Sequence, residues 1–165
     1  MDQSSPFEDQ LASLLPRLRR FAHALSRNPA DADDLTQSTI ERALRSKSQW
    51  QPGTRLDSWA YRIMRNLWID TTRARSRKNA REAPEEEGLS VGEDPREAID
   101  AAVDMKRIMA TMSRLPDEQR EVVALILVEG FGYREVSEML GLPIGTVSSR
   151  LVRGRTGLVA MVGER

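Results

Sequence analysis

The chain has 165 residues, 25 basic and 25 acidic side chains, and a composition 39% hydrophobic and 30% charged, which suits one ordinary soluble domain or two small ones. The absence of cysteine excludes disulfides, cysteine-ligated zinc and a thiol nucleophile, and the single histidine, His23, excludes a multi-histidine metal site, so no metal and no cofactor is expected. No apolar run approaches a bilayer span, and the opening MDQSSPFEDQ is acidic and polar where a signal peptide would be basic and then apolar; the expectation is a cytoplasmic protein that makes no membrane contact.

In chain order, Leu11, Leu14, Leu15, Leu18, Phe21, Ala22 and Leu25 recur at three and four, predicting a first helix that the Asn28-Pro29 pair stops. His23 lies on that helix beside Arg19 and Arg20 and reads as a surface or half-buried residue, not a catalyst. Asp31 to Arg45 is a second helix, with Asp31 as its cap, acids at its positive end, and Arg42 and Arg45 near its negative end. After a turn on Pro52 and Gly53, a third helix runs from about Asp57 to Ala74. Its apolar stripe is Leu56, Trp59, Ala60, Ile63, Met64, Leu67 and Trp68, and Arg62, Arg65, Asn66, Asp70 and Arg73 populate the other side.

Net neutrality hides a segregation of charge. Thr71 to Arg81 holds five basic residues and no acid, whereas Glu82 to Glu97 holds seven acids against Arg96 alone, with Pro84, Gly88, Gly92 and Pro95 among them. Such a stretch cannot keep a long amphipathic helix and reads as a flexible, self-repelling linker. The expected fold is all-α: a helical domain over residues 1–78, an acidic linker over 79–100, and a second helical domain over 101–165.

Within the second domain, YREVSEMLGLPIGTVSSRLVRGR (133–155) has the form of a helix-turn-helix. Val136, Met139, Leu140 and Leu142 give the buried side, Gly141 suits a left-handed closing residue, and Pro143 forbids continuation before Gly145 and Thr146 start the next helix. On a wheel at about 100° per residue, Val147, Leu151, Gly154 and Leu158 form the inward seam, while Ser149, Val152, Arg153 and Thr156 point outward. Ser148 and Arg155 flank one edge of that face and Arg150 the other. Arg153 can pair with guanine, Val152 can touch a thymine methyl, and the edge cations can meet phosphates. A solvated face is the plain alternative; the turn chemistry and the acid-free span from Pro143 to Val162 favour DNA.

Two features of the first domain exceed what a core needs. The acidic DADDLTQ (31–37) offers an anionic surface to a basic partner, where a helix start needs only one capping acid. In the segment SQWQPGTRLDSWAYRIMRNLWIDTTRARSR (48–77), Trp50, Trp59, Tyr61 and Trp68 interleave with arginines, as single-stranded nucleic acid requires, although Trp59 and Trp68 fall on the core stripe.

Together DADDLTQSTIERAL, LDSWAYRIMRNLWIDTTRARSR and LPDEQREVVALILVEGFGYREVSEMLGLPIGTVSSRLVRGRTGL resemble the extracytoplasmic-function (ECF) sigma factors of bacterial RNA polymerase, over nearly the whole chain. QWQPGTRLDSW further resembles the general-stress-response, EcfG-like subgroup, whose usual inhibitor is a NepR-type anti-sigma factor. The resemblance implies an alternative sigma factor, not an enzyme, whose partners are core RNA polymerase, promoter DNA and an anti-sigma factor. It implies polymerase contacts at Asp31, Asp34, Gln37 and Arg42. It also implies minus-10 contacts from Arg62, Asn66, Asp70, Arg73 and Arg75 and from the loop between Trp50 and Asp57, which includes Arg55 and accepts a flipped base. For the minus-35 element it implies Ser148, Ser149, Val152 and Arg153, with Thr146, Arg150 and Arg155 beside them on the helix from Gly145 to Leu158.

Many members carry a basic residue in place of Ser148 and alanine in place of Gly154; serine forfeits a contact, and glycine puts the helix beyond it in question. A sigma-like decoy and a dimeric helix-turn-helix repressor are the rival readings. The first lacks the receiver domain that accompanies such decoys, and the second has no use for the tryptophan- and arginine-rich first domain. No nucleophile and base pair or phosphate-cradling loop supports an enzyme. Glu118, Glu121 and Glu129 read as solvated helix surface. The apolar Val122, Val123, Ile126 and Leu127 suggest a face through which an inhibitor could clamp the two domains together.

Overall fold

Pro16 divides what the apolar spacing joins. The series from Leu11 to Leu25 forms two helices, α1 (Pro6–Ser13) and α2 (Leu15–Ser26), because the Pro16 nitrogen has no hydrogen for the Ala12 carbonyl and its ring crowds that oxygen. The chain turns at Leu14, whose N–H reaches the Leu11 carbonyl at 3.1 Å. The computed structural model describes residues 6–81 and 100–163, and among these there is no β-strand.

α2 closes on Arg27, a left-handed residue at φ 57° whose N–H donates to the His23 carbonyl at 2.9 Å. Asn28 then takes the role expected of Asp31. Its side-chain oxygen accepts from the Asp31 N–H at 3.1 Å, and Pro29 occupies the first turn, so α3 (Pro29–Arg45) starts ahead of the expected position. A 3₁₀ turn (Lys47–Gln49) and a loop through Gly53, at φ 90°, lead to α4 (Leu56–Arg81), which continues past Ala74 through the whole basic run. Residues 79–81 and Asp100 of the expected linker are helical; residues 82 to 99 lie outside the described residues. Leu18, Phe21, Ala60, Tyr61 and Met64 are buried where α2, α3 and α4 meet.

The second group of helices is α5 (Asp100–Met112), α6 (Asp117–Val123), α7 (Tyr133–Leu140) and α8 (Ile144–Gly163). Gly141 closes α7 at φ 65°, as the sequence predicts, and Val147, Leu151 and Gly154 are buried along the seam of α8. The helix expected from Gly145 to Leu158 runs from Ile144 to Gly163, so Gly154 does not interrupt it. The glycine has a packing reason: a Cβ built there would lie 2.5 Å from Val123 Cγ2, so its absence lets α8 seat closely on α6.

α6 runs directly into a π-turn (Ala124–Val128), in which the Glu129 N–H reaches back to the Ala124 carbonyl at 2.9 Å. The extra residue in this turn advances Glu129 out of α-helical phase. Gly130, at φ 79°, then lets Phe131 fold inward, its N–H on the Leu125 carbonyl at 3.0 Å. The two helix groups pack together here, α6 and the π-turn against α2, and α7 against α4. Two of the three glutamates expected in solvent are covered by this contact: the Glu118 side chain stays 72% exposed, but Glu121 falls to 12% and Glu129 to 1%.

Candidate nucleic-acid interface

Arg62, Asn66, Asp70 and Arg73 are all exposed and recur at four, four and three along α4, within about 80° of one another on the helix surface. Beside this stripe is a cavity of about 150 Å³ with Arg42, Ser46, Gln49, Asn66 and Asp70 as polar lining and Trp59, Ile63 and Leu67 as apolar lining. Amide, carboxylate and guanidinium groups above an aromatic and aliphatic floor can hydrogen-bond the edge of an unstacked base while its face packs below. Arg42, near the C-terminal end of α3 and implied by the resemblance, with Asp31, Asp34 and Gln37, as a polymerase contact, lines this cavity with Asn66 and Asp70.

Arg75 lies around the helix from the stripe. Its guanidinium grips Asp31 at 2.8 and 2.9 Å and sits 5.6 Å from the centroid of the Trp68 ring. This pairing joins two residues expected on different surfaces, and the Arg75 hydrogen bonds hold the Asp31 carboxyl below the usual aspartate range. Asp34 and Gln37 remain exposed on α3.

In the loop before α4, Trp50 is half-buried against Phe7, ring centroids 5.5 Å apart, and its indole nitrogen has no acceptor among the described residues. Arg55 holds Asp57 at 2.9 and 3.1 Å and also pairs with Glu135 of α7. Burial would raise the Asp57 carboxyl, but hydrogen bonds from Arg55 and the Ser58 N–H bring it below its ordinary value.

On α8, Val152, Arg153 and Arg155 stand exposed on the outward face, with Thr156 beside them. Ser149 donates to the Thr146 carbonyl at 3.2 Å, and Thr146, Ser148 and Ser149 are half-buried. Arg150 lies at the edge, 3.6 Å from Glu118 of α6. The face is cationic, with one exposed aliphatic at its centre, as laid out on the wheel.

Sequence reading missed the residues between the two groups. The Tyr61 hydroxyl, fully buried, donates to Glu129 at 3.0 Å; burial and the adjoining carboxylate push it far above the ordinary phenol value, so it stays protonated. Arg20 grips Glu129 with four contacts of 2.6 to 3.2 Å, and Arg65 pairs with Glu121, whose carboxyl burial raises. Arg120, 3% exposed, donates to the carbonyls of Ala24 and Leu25 at the open end of α2, to Leu115 and to Asp117. The motif LPDEQRE contained Arg120, but only the tertiary contact reveals its target.

Residues 11–78 match the family model "Sigma-70 region 2", and residues 105–158 match "Sigma-70, region 4". The chain is 33% identical over 165 residues to the ECF RNA polymerase sigma factor EcfG of Rhodopseudomonas palustris, covering 98% of this chain and 88% of that protein. It belongs to the ECF RNA polymerase sigma factors. This sigma factor is also 41% identical over 145 residues to SigE of Mycolicibacterium smegmatis, covering 86% of the chain and 56% of SigE. Its fold aligns with that of the sigma factor RpoE of Bartonella quintana, solved in complex with the anti-sigma factor NepR, at a TM-score of 0.82 and 28% identity over 96% of this chain and 98% of RpoE. As an ECF sigma factor of the EcfG-like kind, it works with core RNA polymerase on promoter DNA as a transcription initiation factor. Among the described residues no helix is long and apolar enough to cross a membrane.

Proposed function

We propose that residues 1–78 and 101–165 are two promoter-binding modules used at once, joined by the acidic stretch over 79–100. The α8 face, with Arg153 and Val152 on bases and Arg150 and Arg155 on phosphates, reads the minus-35 element. Thr146, Ser148 and Ser149 line its edge. The α4 stripe of Arg62, Asn66, Asp70 and Arg73 holds the melted minus-10 strand, Arg55 supports it from the loop, and the cavity beside Asn66 takes an extruded base. Asp34 and Gln37 face polymerase, together with Asp31 once Arg75 releases it. Each module alone is weak; seated on one rigid enzyme they act through effective concentration.

The observation that carries this reading is the pair of exposed cationic surfaces, one on a helix-turn-helix and one beside a base-sized cavity, in a single chain. A NepR-type anti-sigma factor is the expected inhibitor, supported by the likeness to RpoE, which was solved with NepR bound. The working compartment is the cytoplasm.

The test is run-off transcription on genomic fragments with cognate core RNA polymerase. Initiation from specific promoters should require this protein and should fall with Arg153→Ala. Failure to associate with core enzyme, or strong duplex binding indifferent to it, would refute the reading.

A further inference from the structure

Three arginines of the first helix group each meet a glutamate of the second: Arg20 with Glu129, Arg65 with Glu121, and Arg55 with Glu135. Arg55 makes a second contact across the same boundary. Its guanidinium carbon lies 5.0 Å from the centroid of the Phe131 ring, so an aromatic face and a carboxylate from the C-terminal helices hold it together. A stacked base and its phosphate would present the same pair of groups to this side chain. Phe131 is wedged further by Tyr61, edge-on at 5.2 Å, and by Arg17, 5.8 Å from its ring centre.

We propose that the closed arrangement is autoinhibitory: Phe131 and Glu135 occupy Arg55 in place of the promoter's single strand, so that DNA and the C-terminal helices compete for one guanidinium. This rests on the reading of Arg55 as a minus-10 residue. The Arg55 and Glu135 side chains remain 54% and 34% exposed, so their pairing is individually weak and readily exchanged. Arg20, Tyr61, Glu129 and Arg120 supply the buried, directional contacts that keep the two groups in register. Opening then exposes carboxylates on one side and cations on the other, and a polyanion binds only the latter. The sequence signal was available in part: GFG (130–132) places an aromatic between two glycines, four residues ahead of Glu135.

The chain has no cysteine, so Ser38→Cys and Glu138→Cys, both at exposed helical positions on opposite sides of the boundary, can carry a donor and acceptor dye in the full-length protein. In parallel, anisotropy reads binding of a fluorescein-labelled, AT-rich 12-nucleotide single strand to the unlabelled chain. Glu121→Gln with Glu135→Gln keeps the side-chain oxygen that accepts from the Gly132 N–H, and so tests charge without removing the helix cap. The double variant should lower energy transfer and tighten DNA binding by about three- to tenfold, as loss of one half-exposed and one largely covered ion pair allows. Adding the oligonucleotide to the parent should lower transfer as well. Adding Arg55→Ala to the double variant should cancel the gain in affinity. Unchanged transfer and affinity in the double variant overturn the autoinhibition. A gain that survives Arg55→Ala shows that Arg55 is not the contested group and removes it from the minus-10 surface.

Discussion

Replacing Gly154 by alanine sets two effects of similar size against each other. Helix propensity favours alanine by about 1 kcal/mol at an interior position. The new Cβ, however, would lie 2.5 Å from Val123 Cγ2 and 3.5 Å from the Gln119 backbone oxygen, where an ordinary carbon contact needs about 3.5–4.0 Å. Val123 is 1% exposed and β-branched within a helix, so it cannot turn aside at low cost; α8 has to lift from α6. Overpacking of this kind costs about 1–3 kcal/mol, leaving Gly154→Ala between neutral and about 2 kcal/mol destabilising. Urea unfolding followed by circular dichroism measures the difference. Gly145→Ala, whose Cβ meets open space, isolates propensity and should be neutral or stabilising. Val123→Ala should relieve the clash, so the double variant with Gly154→Ala should be more stable than the sum of the single effects implies. If Gly154→Ala alone raises stability as the Gly145 control does, the packing argument fails.

Arg120→Ala strands the Ala24, Leu25 and Leu115 carbonyls that the buried guanidinium serves, and should cost about 2–4 kcal/mol in the same urea assay, with Arg120→Lys recovering only part. Asp31 and Asp57 both titrate below the ordinary 3.8, so the unfolded chain takes up their protons first. The stability they confer is therefore full above about pH 5 and is lost as pH falls through their lowered folded values; Asp31→Asn should flatten part of that acid limb in thermal melts. Arg62→Ala and Arg73→Ala should each make the plot of log affinity for single-stranded DNA against log salt shallower by about 0.7, and an unchanged slope would show that the α4 stripe does not meet phosphates.

The sequence was most informative where structure is set by neighbours in the chain. Gly141 closes α7, and the α8 seam of Val147, Leu151 and Gly154 follows from turn chemistry and helical periodicity alone. It was least informative where distant groups decide. Glu129 looked like surface because its phase was counted through an unbroken α-helix, and nothing in the run ALILV announces a π-turn. Asp31 was an acceptable cap in isolation; Asn28 took that position, and Arg75, 44 residues away, took the carboxylate. Arg55 and Arg65 were legible as cations near a nucleic-acid surface, but their glutamate partners in α7 and α6 required the packing of one helix group on the other. Pro16 was visible, and the regularity of the surrounding leucines outweighed it.

α1 carries none of the side chains assigned to DNA or polymerase, and most of it precedes residue 11, where the family match starts. Yet Phe7 is the anvil under the loop proposed to meet the promoter: Trp50 and Trp59 both rest on its ring, and Lys47 lies 5.6 Å above it. Relatives that differ in this leading turn can therefore slacken or brace the loop without altering any residue that touches a nucleotide, and promoter preference can drift through a part of the chain where a comparison of binding motifs would not look.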